Sequence, residues 1–434
     1  RSTDPSDPAV AAKTILDGAR EGPVVTFGGE EDATCVLAGF TITKGSGLPD
    51  GGGIQGNGCS ATIRDNVLRD NQASGTGGAV HNCDGSITGN VVVENQAQFS
   101  GGAIANCDGR VQGNRIAYNS ATEFGGGIYF CQALITNNIV THNTARTGGG
   151  ICECSAATIR NNTVAFNEAS DYGGGLYDIA ATVSNCIVWG NTAGVENPQL
   201  SVAGSVEYCC IQDYTGDGTG VIDEAPKFVD ADNSDYHLVP SSLCVDGGDP
   251  SSEYDDPLDP GDPSTAQYPA LGSPRNDMGA YGGPGSGEIP DQPEKAVIEV
   301  TSPSHPQSKL WYFDTAFEAT WSEYPGATGY YWVIDQSADT LVSSTAHTYA
   351  SERAAEQGDL SSGVWYFHIA AEDASGAIAT DSQTDYAFRV FTDAPTIKSA
   401  SHPQGDVPYP NSDFDAEVHL VSGTNTFSQA TQSA

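Results

Sequence analysis

Residues 77–97 read GGAVHNCDGSITGNVVVENQA, 101–121 read GGAIANCDGRVQGNRIAYNSA, and 125–145 read GGGIYFCQALITNNIVTHNTA. A chain that writes one phrase at a fixed interval must build one unit many times, and the interval selects the unit. Asn71, Asn95, Asn119, Asn143, Asn167 and Asn191 lie 24 residues apart at every step. Asn66, Asn90, Asn114, Asn138 and Asn162 keep that spacing, and Cys186 takes the next place. Two apolar columns run beside them: Ile63, Ile87, Val111, Ile135, Ile159, Val183, and Leu68, Val92, Ile116, Val140, Val164, Val188. Helical repeats need about 30 residues or more with alanine- or leucine-rich periodicity. These units instead hold short β-branched runs such as RIAYN and NIVTHN, broken by Gly and Asn. Short strands joined by corners, with one side-chain column always inward, make a parallel β-helix. Each coil adds one strand spacing of about 4.8 Å, so some eight or nine coils predict a rod of roughly 40 Å.

The repeated polar residues then have a structural task. Stacked at one corner, each Asn amide donates to one neighbouring coil and accepts from the other, which makes the Asn71-to-Asn191 column a ladder. The glycine pairs ahead of Val80, Ile104, Ile128, Ile151 and Leu176 allow a turn with positive φ. Cysteine forms its own column: Cys35, Cys59, Cys83, Cys107 and Cys131 at intervals of 24, then Cys154 at 23. Neighbouring coils bring such residues inside the disulfide window of about 4.4–6.8 Å between Cα atoms. Buried free thiols filling a corner have the same sequence signature. The count of 11 is odd, so at least one thiol has no internal partner. Structural packing is the favoured reading and inter-coil disulfides the second. Zinc is disfavoured, because one cysteine per coil is not a CxxC pair.

The 434 residues include 17 Lys and Arg against 56 Asp and Glu, a net charge of −39. Nucleic acid and anionic membranes are excluded as partners, since both require a basic face. No stretch approaches the roughly 18 apolar residues of a membrane helix, so membrane insertion is not expected. The acidity suits an extracellular, cation-rich setting. Asp230, Asp232 and Asp235 in DADNSD, with Asp255, Asp256 and Asp259 beyond, are the calcium candidates, because Ca²⁺ takes several oxygen ligands from such loops. DADNSD lacks the glycine and distal Glu of an EF-hand, and a solvated turn is the competing reading.

From about Ala296 the pattern changes. FEATWSEYPGATGYYWVID and GVWYFHIAAEDASGAIA alternate apolar and polar residues, as sandwich strands do. Trp321, Trp332 and Trp365 are the expected core, and Trp311 with Tyr312 the pair best placed to stack on a glycan. Ser304-His305-Pro306 and Phe317 recur 97 residues later as Ser401-His402-Pro403 and Phe414. About 40 residues cannot close a second sandwich, so residues 394–434 read as a strand donor or an incomplete repeat. With TILDGAREGPVVTF already inside a coil, both ends suit strand addition between subunits. A fragment of a longer chain has the same signature.

The motifs GGAV, GGAI, GGGI and GGGL, each followed by an asparagine-ended strand such as VAFNEA, resemble the repeats of polymorphic outer-membrane proteins. A closer likeness is to secreted β-helix proteins of planctomycete-type bacteria. It is carried by SNCIVWGNTAG (184–194), APKFVDADNSDYHLVPSSLCVDGGDP (225–250) and RNDMGAYGG (275–283), and spans roughly residues 14–283. The loop from Ser251 to Ser273 is longer and more acidic than that likeness leads one to expect. The later strands look like a fibronectin type III or bacterial immunoglobulin-like module. The resemblance implies an all-β chain: a right-handed, pectate-lyase-like parallel β-helix (1–245), an acidic cap and linker (246–295), one β-sandwich (296–393), and part of a second (394–434).

The β-helix also serves polysaccharide lyases and hydrolases, which need clustered carboxylates on an outer face. The expected outward columns are Arg64, Thr88, Gln112, Thr136, Arg160, Ser184 and Arg69, Val93, Ala117, Thr141, Ala165, Trp189, and neither contains a recurring acidic pair. The sequence therefore favours a non-enzymatic extracellular structural or adhesive protein. Its expected partners are copies of itself or another surface protein, met through strand pairing. The alternative is a polysaccharide-binding or polysaccharide-cleaving β-helix.

Overall fold

The computed structural model describes residues 11, 14–132, 134–202 and 204–291, and most of 298–392 (all but 308–309, 313, 325–326, 339, 373–377, 379–381 and 391). Beyond these it describes the backbone of three strands. The chain is all-β and divides into two units, Arg1–Pro293 and Glu294–Ala434.

The first unit is a parallel β-solenoid built from four sheets. Sheet A has nine strands, from Ile15–Asp17 through Val67–Arg69, Val91–Val93 and Arg115–Ala117 to Cys210–Ile211. Sheet D has seven, from Ser46–Gly47 to Thr192–Ala193. Sheets B and C have eight each, running from Val25–Thr26 to Leu200–Val202 and from Val36–Ala38 to Val206–Glu207. One coil visits A, D, B and C in turn. The register is that of the sequence columns: Val92 lies between Leu68 and Ile116, and Ile87 between Ile63 and Val111. These inward side chains are fully buried in one continuous core.

Three of the four corners share one construction. A residue with positive φ turns the chain, and the next residue points inward. Asp70, Glu94, Tyr118, His142 and Phe166 precede the asparagines of the first ladder, with φ between 52° and 58°. Asp65, Asn137 and Asn161, with Gly89 and Gly113, do the same for the second ladder. Asn82, Asn106, Phe130 and Glu153 do so for the cysteines. Left-handed backbone costs a non-glycine residue roughly 1–2 kcal/mol, so the bonds made by the inward residue after each turn must offset it. The D-to-B corner is built on a run of glycines. Gly125 has φ +62°, and a Cβ on Gly126 would lie 2.5 Å from the Thr144 carbonyl oxygen of the next coil.

In the first ladder the Nδ2 of Asn71, Asn95, Asn119, Asn143 and Asn167 donates to the Oδ1 of the next asparagine at 2.9–3.0 Å. The backbone N–H of each donates to the same oxygen. Asn191 ends the series on Gln199 Oε1 at 2.9 Å. The second ladder runs from Asn66 to Asn162 in the same way and finishes on sulfur, where the Asn162 N–H meets Cys186 Sγ at 3.4 Å. Each buried amide thus has its donors and acceptor satisfied, the condition for burying it at all.

Cysteines follow the same rule. The N–H groups of Cys83, Cys107 and Cys131 donate to the sulfurs of Cys107, Cys131 and Cys154 at 3.3–3.4 Å. All eleven cysteines are free thiols. Burial is the main cause that pushes Cys83, Cys107 and Cys154 well above the ordinary thiol range. These three thiols stay protonated at neutral pH and pack in the core.

The end of the stack and the segment after it differ from the expected cap at 246–295. Residues 219–222 bridge to sheets C and A, and Tyr214 and Val221 pack on the last coil, so the closure comes earlier. Residues 226–291 turn back and lie along the outer face of sheet A. A hairpin of Phe228–Asp230 and Asp235–Leu238 places Tyr236 and Leu238 on that face. The chain then descends coil by coil. Asn161 Nδ2 donates to the Asp277 carbonyl, Asn137 Nδ2 to those of Ala280 and Gly282, and Gln112 Nε2 to that of Gly285. Arg115, 1% exposed, donates to the carbonyls of Ser234 and Pro290 and to Asp291 Oδ1. The physical reason is apolar surface: Ile139 and Ile187 point outward from sheet A and need a cover.

The second unit contains two sheets with a shared core, as a sandwich has. Val300–Thr301, Phe317–Trp321 and Ala354–Gln357 form one. The other has the order Trp311–Tyr312, Thr384–Val390, Gly363–Glu372, Gly329–Asp335, Thr348–Ala350. Phe317, Trp321, Phe367, Ile369 and Phe388 fill the space between, with Trp332 and Trp365 packed at its margin. The strands Thr396–Lys398, Glu417–Ser422 and Asn425–Ala430 form a further antiparallel sheet. The second Ser-His-Pro and Phe414 lie outside the described residues. No helix among the described residues is long and apolar enough to cross a membrane.

Candidate functional site

With sheet A covered from Arg115 onward and the amides and thiols consumed inside, the outer surfaces of sheets B, C and D are the main places where this solenoid can meet a ligand. At and beside the D-to-B corner aromatic rings gather, with one contact between coils and the others within a coil. Phe99 meets Phe124 (centroids 6.5 Å apart), Phe124 meets Tyr129 (6.2 Å), and Tyr129 meets Phe130 (6.0 Å). Tyr172 and Tyr177 repeat the contact at 6.4 Å. Parallel register makes this row: Tyr129 and Tyr177 both pair with Cys152, on either side of it. Phe99 is 50% exposed, Phe130 47% and Tyr172 38%.

Charges flank the rings. Arg146 lies over Phe124, 5.7 Å from its centroid, and pairs with Glu123 on the preceding coil and Asp171 on the following one. Tyr129 Oη donates to Glu153 Oε2 at 2.9 Å, and burial, followed by this carboxylate, pushes the phenol pKa upward. An open groove of about 350 Å³ on sheet D runs past Arg146, Thr144, Glu168 and Ser170.

The six calcium candidates are not gathered into one site. Asp230 caps a short 3₁₀ turn by accepting from Asn233, and Asp235 accepts from His237 Nδ1 at 2.7 Å. Asp259 accepts from the N–H of Gly261, while Asp232 and Asp255 lie in turns. Asp256 is buried and accepts from the N–H groups of Asp277 and Gly283. Desolvation, reinforced by Asp277, raises its pKa to about 8. Asp277 is also buried and raised to about 7, again chiefly by desolvation. Among the described residues no three His, Cys, Asp or Glu side chains are arranged to hold a metal ion.

Trp311 and Tyr312 are half-buried in the sandwich, paired with Arg389 and Val390. Tyr312 lies edge-on to the buried His305, 4.8 Å between centroids, and its hydroxyl accepts from the Gln307 N–H. Sequence reasoning did not find the solenoid's own ring row. Its signal is Phe99, Phe124 and Tyr172 just ahead of three of the glycine pairs, and Tyr129 and Tyr177 just after two of them.

No protein-family model, curated protein or solved structure matches the chain.

Proposed function

We propose that the protein is a non-enzymatic, extracellular adhesive and structural protein, in which the solenoid is a stiff rod and its bare flank the contact surface. The ring row from Phe99 to Tyr177 is the observation that supports this reading. Large aromatic side chains left in water on a rigid frame are the usual make-up of a recognition surface. The frame contributes stiffness: each coil is tied to the next by two amide ladders, so the rings are presented without an ordering cost at binding. Self-association through the ends of the solenoid or the C-terminal strands would set such rods in series. The test pairs negative-stain electron microscopy with retention of the chain on immobilised surface polymers, with and without Phe99→Ser and Phe130→Ser. Retention lost in the double variant supports the reading, and retention unchanged overturns it.

A second reading, polysaccharide binding along the rod, is favoured by one arrangement. Glu123, Arg146 and Asp171 stack on three successive coils beside Phe124 and the sheet D groove. Rings that stack on sugar faces beside carboxylates that accept from hydroxyls would hold a neutral glycan.

A further inference from the structure

A cleft of about 240 Å³ opens between sheet C and the returning chain. It is lined by Arg110, Gln112, Thr136 and Arg160, with Leu134 and Pro284 as apolar walls and Asn137, Asn161 and Gly285 completing it. We propose that this cleft is a subsite for a saccharide ring bearing an anionic group, a sulfate ester or a carboxylate. The cleft is separate from the ring row, which lies on other faces.

Cations are scarce in a chain with more than three acids for each base, and several are neutralised locally. Arg20, Arg64, Arg115 and Arg146 each pair with a carboxylate. Arg110 and Arg160 make no such pair among the described residues, and both line this cleft. Each is held by a neutral partner instead. Arg110 donates to Gln112 Oε1 at 2.9 Å, and Arg160 lies over the Tyr254 ring, 4.9 Å from its centroid. Gln112 is itself fixed by its bond to the Gly285 carbonyl. Gln112, Thr136 and Arg160 follow one another in register on three coils, so the polar floor belongs to the rigid stack. No acidic side chain is among the described lining residues.

Two guanidinium groups with donors to offer bind an oxyanion through charge-assisted, often bidentate hydrogen bonds. The volume is below the roughly 300 Å³ at which drug-sized pockets begin, which suits one ring and not an oligomer. Amide and hydroxyl groups between apolar walls match the hydroxyls and faces of such a ring. The surrounding charge of −39 repels densely charged polymers, so the matching ligand carries isolated anionic groups.

The test is saturation-transfer NMR on the full chain with four probes: glucose 6-sulfate, glucuronate, glucose and inorganic sulfate. We expect one or both anionic sugars to bind at least tenfold more tightly than glucose, and which one binds tells sulfate ester from carboxylate. Arg110→Gln and Arg160→Gln should each weaken that binding fivefold or more. Arg64→Gln, in the same column but outside the cleft, should leave it unchanged. Arg160→Lys keeps the charge and should restore part of the binding. If Arg160→Gln loosens the chain around Tyr254, seen as a lowered melting temperature, Arg110→Gln decides alone. Equal binding of glucose, no binding of either anionic sugar, or binding indifferent to Arg110→Gln would overturn the proposal. Inorganic sulfate binding as tightly as the sugar sulfate would overturn its saccharide part.

Discussion

Sheet A and the D-to-B corner both carry large apolar side chains on the outside of the same solenoid, and they meet opposite fates. Ile139 and Ile187 on sheet A are buried under Tyr236, Leu238, Met278 and Tyr281. Phe99 and Tyr172 at the corner, with Phe130 just past sheet B, remain in water. The contrast separates two reasons for an outward hydrophobe. One is settled within the chain by its own returning segment. The other is unanswered within the described residues and is therefore the place to look for a partner.

The largest effect tests what both regions share. Asn119→Leu removes the acceptor for the N–H and Nδ2 of Asn95 and the donor to the carbonyls of Val92 and Ala117. At about 1–3 kcal/mol per buried orphan, a loss of about 4 kcal/mol or more is expected. Denaturant unfolding should show both faces lost in one transition. Two transitions would mean that the covered half stands alone.

Removing the cover's main anchor should break the symmetry. Arg115→Met leaves the carbonyls of Ser234 and Pro290 without their donor, at a cost of about 3 kcal/mol. Little of this comes from the ion pair, because Asp291 is 90% exposed. Limited trypsin digestion should then cut at Lys227 and Arg275 in the cover while the solenoid stays intact.

The cover alone should also respond to pH. Asp256 and Asp277 have folded-state pKa values of about 8 and 7, above their ordinary value of 3.8. The folded state therefore holds protons that the unfolded state has released. Their contribution is full below about pH 4 and is lost as pH rises through 7 and 8, each carboxyl adding a slope of at most about 1.4 kcal/mol per pH unit. Hydrogen exchange in residues 246–291, corrected for its intrinsic rate, should quicken between about pH 4 and 8 and level off above that. Exchange at the ring row should not change with it. Asp256→Asn should flatten much of the slope; an unchanged slope would assign it to general charge repulsion.

The smallest effect is the sharpest comparison. Ile139→Ser, under the cover, should cost about 3 kcal/mol, whereas Phe130→Ser should change stability by less than about 0.5 kcal/mol. Thermal melts of the two variants check this directly. A large loss from Phe130→Ser would make the ring row part of the frame and remove it as a contact surface.

The solenoid was legible because stacking converts sequence interval directly into spatial register. Asn71, Asn95 and Asn119 are 24 apart in the chain and bonded in space for the same reason. The cover was not legible, since residues 226–291 have no period of their own. Its trace was Ile139-Val140: alternation sends only Val140 inward, so the apolar Ile139 implies a second layer outside. Arg115, alone among the Val, Thr and Ile of its column, was a second trace. The left-handed turns at Tyr118, His142 and Phe166 defy residue preference, and only the ladder asparagine after each explains them. Asp256 looked like its acidic neighbours because burial leaves no mark on a single letter.

The returning chain touches the stack at Asn161, Asn137 and Gln112, one grip per coil. It therefore counts. A solenoid whose coils answer only to their neighbours has no intrinsic length, and whole coils can be duplicated in its early part, ahead of Gln112, at about 4.8 Å each. Between Gln112 and Asn161 the returning segment acts as a gauge, and one added coil would put its grips out of step. A coil added ahead of Gln112 should therefore be tolerated, and one added between the grips should not.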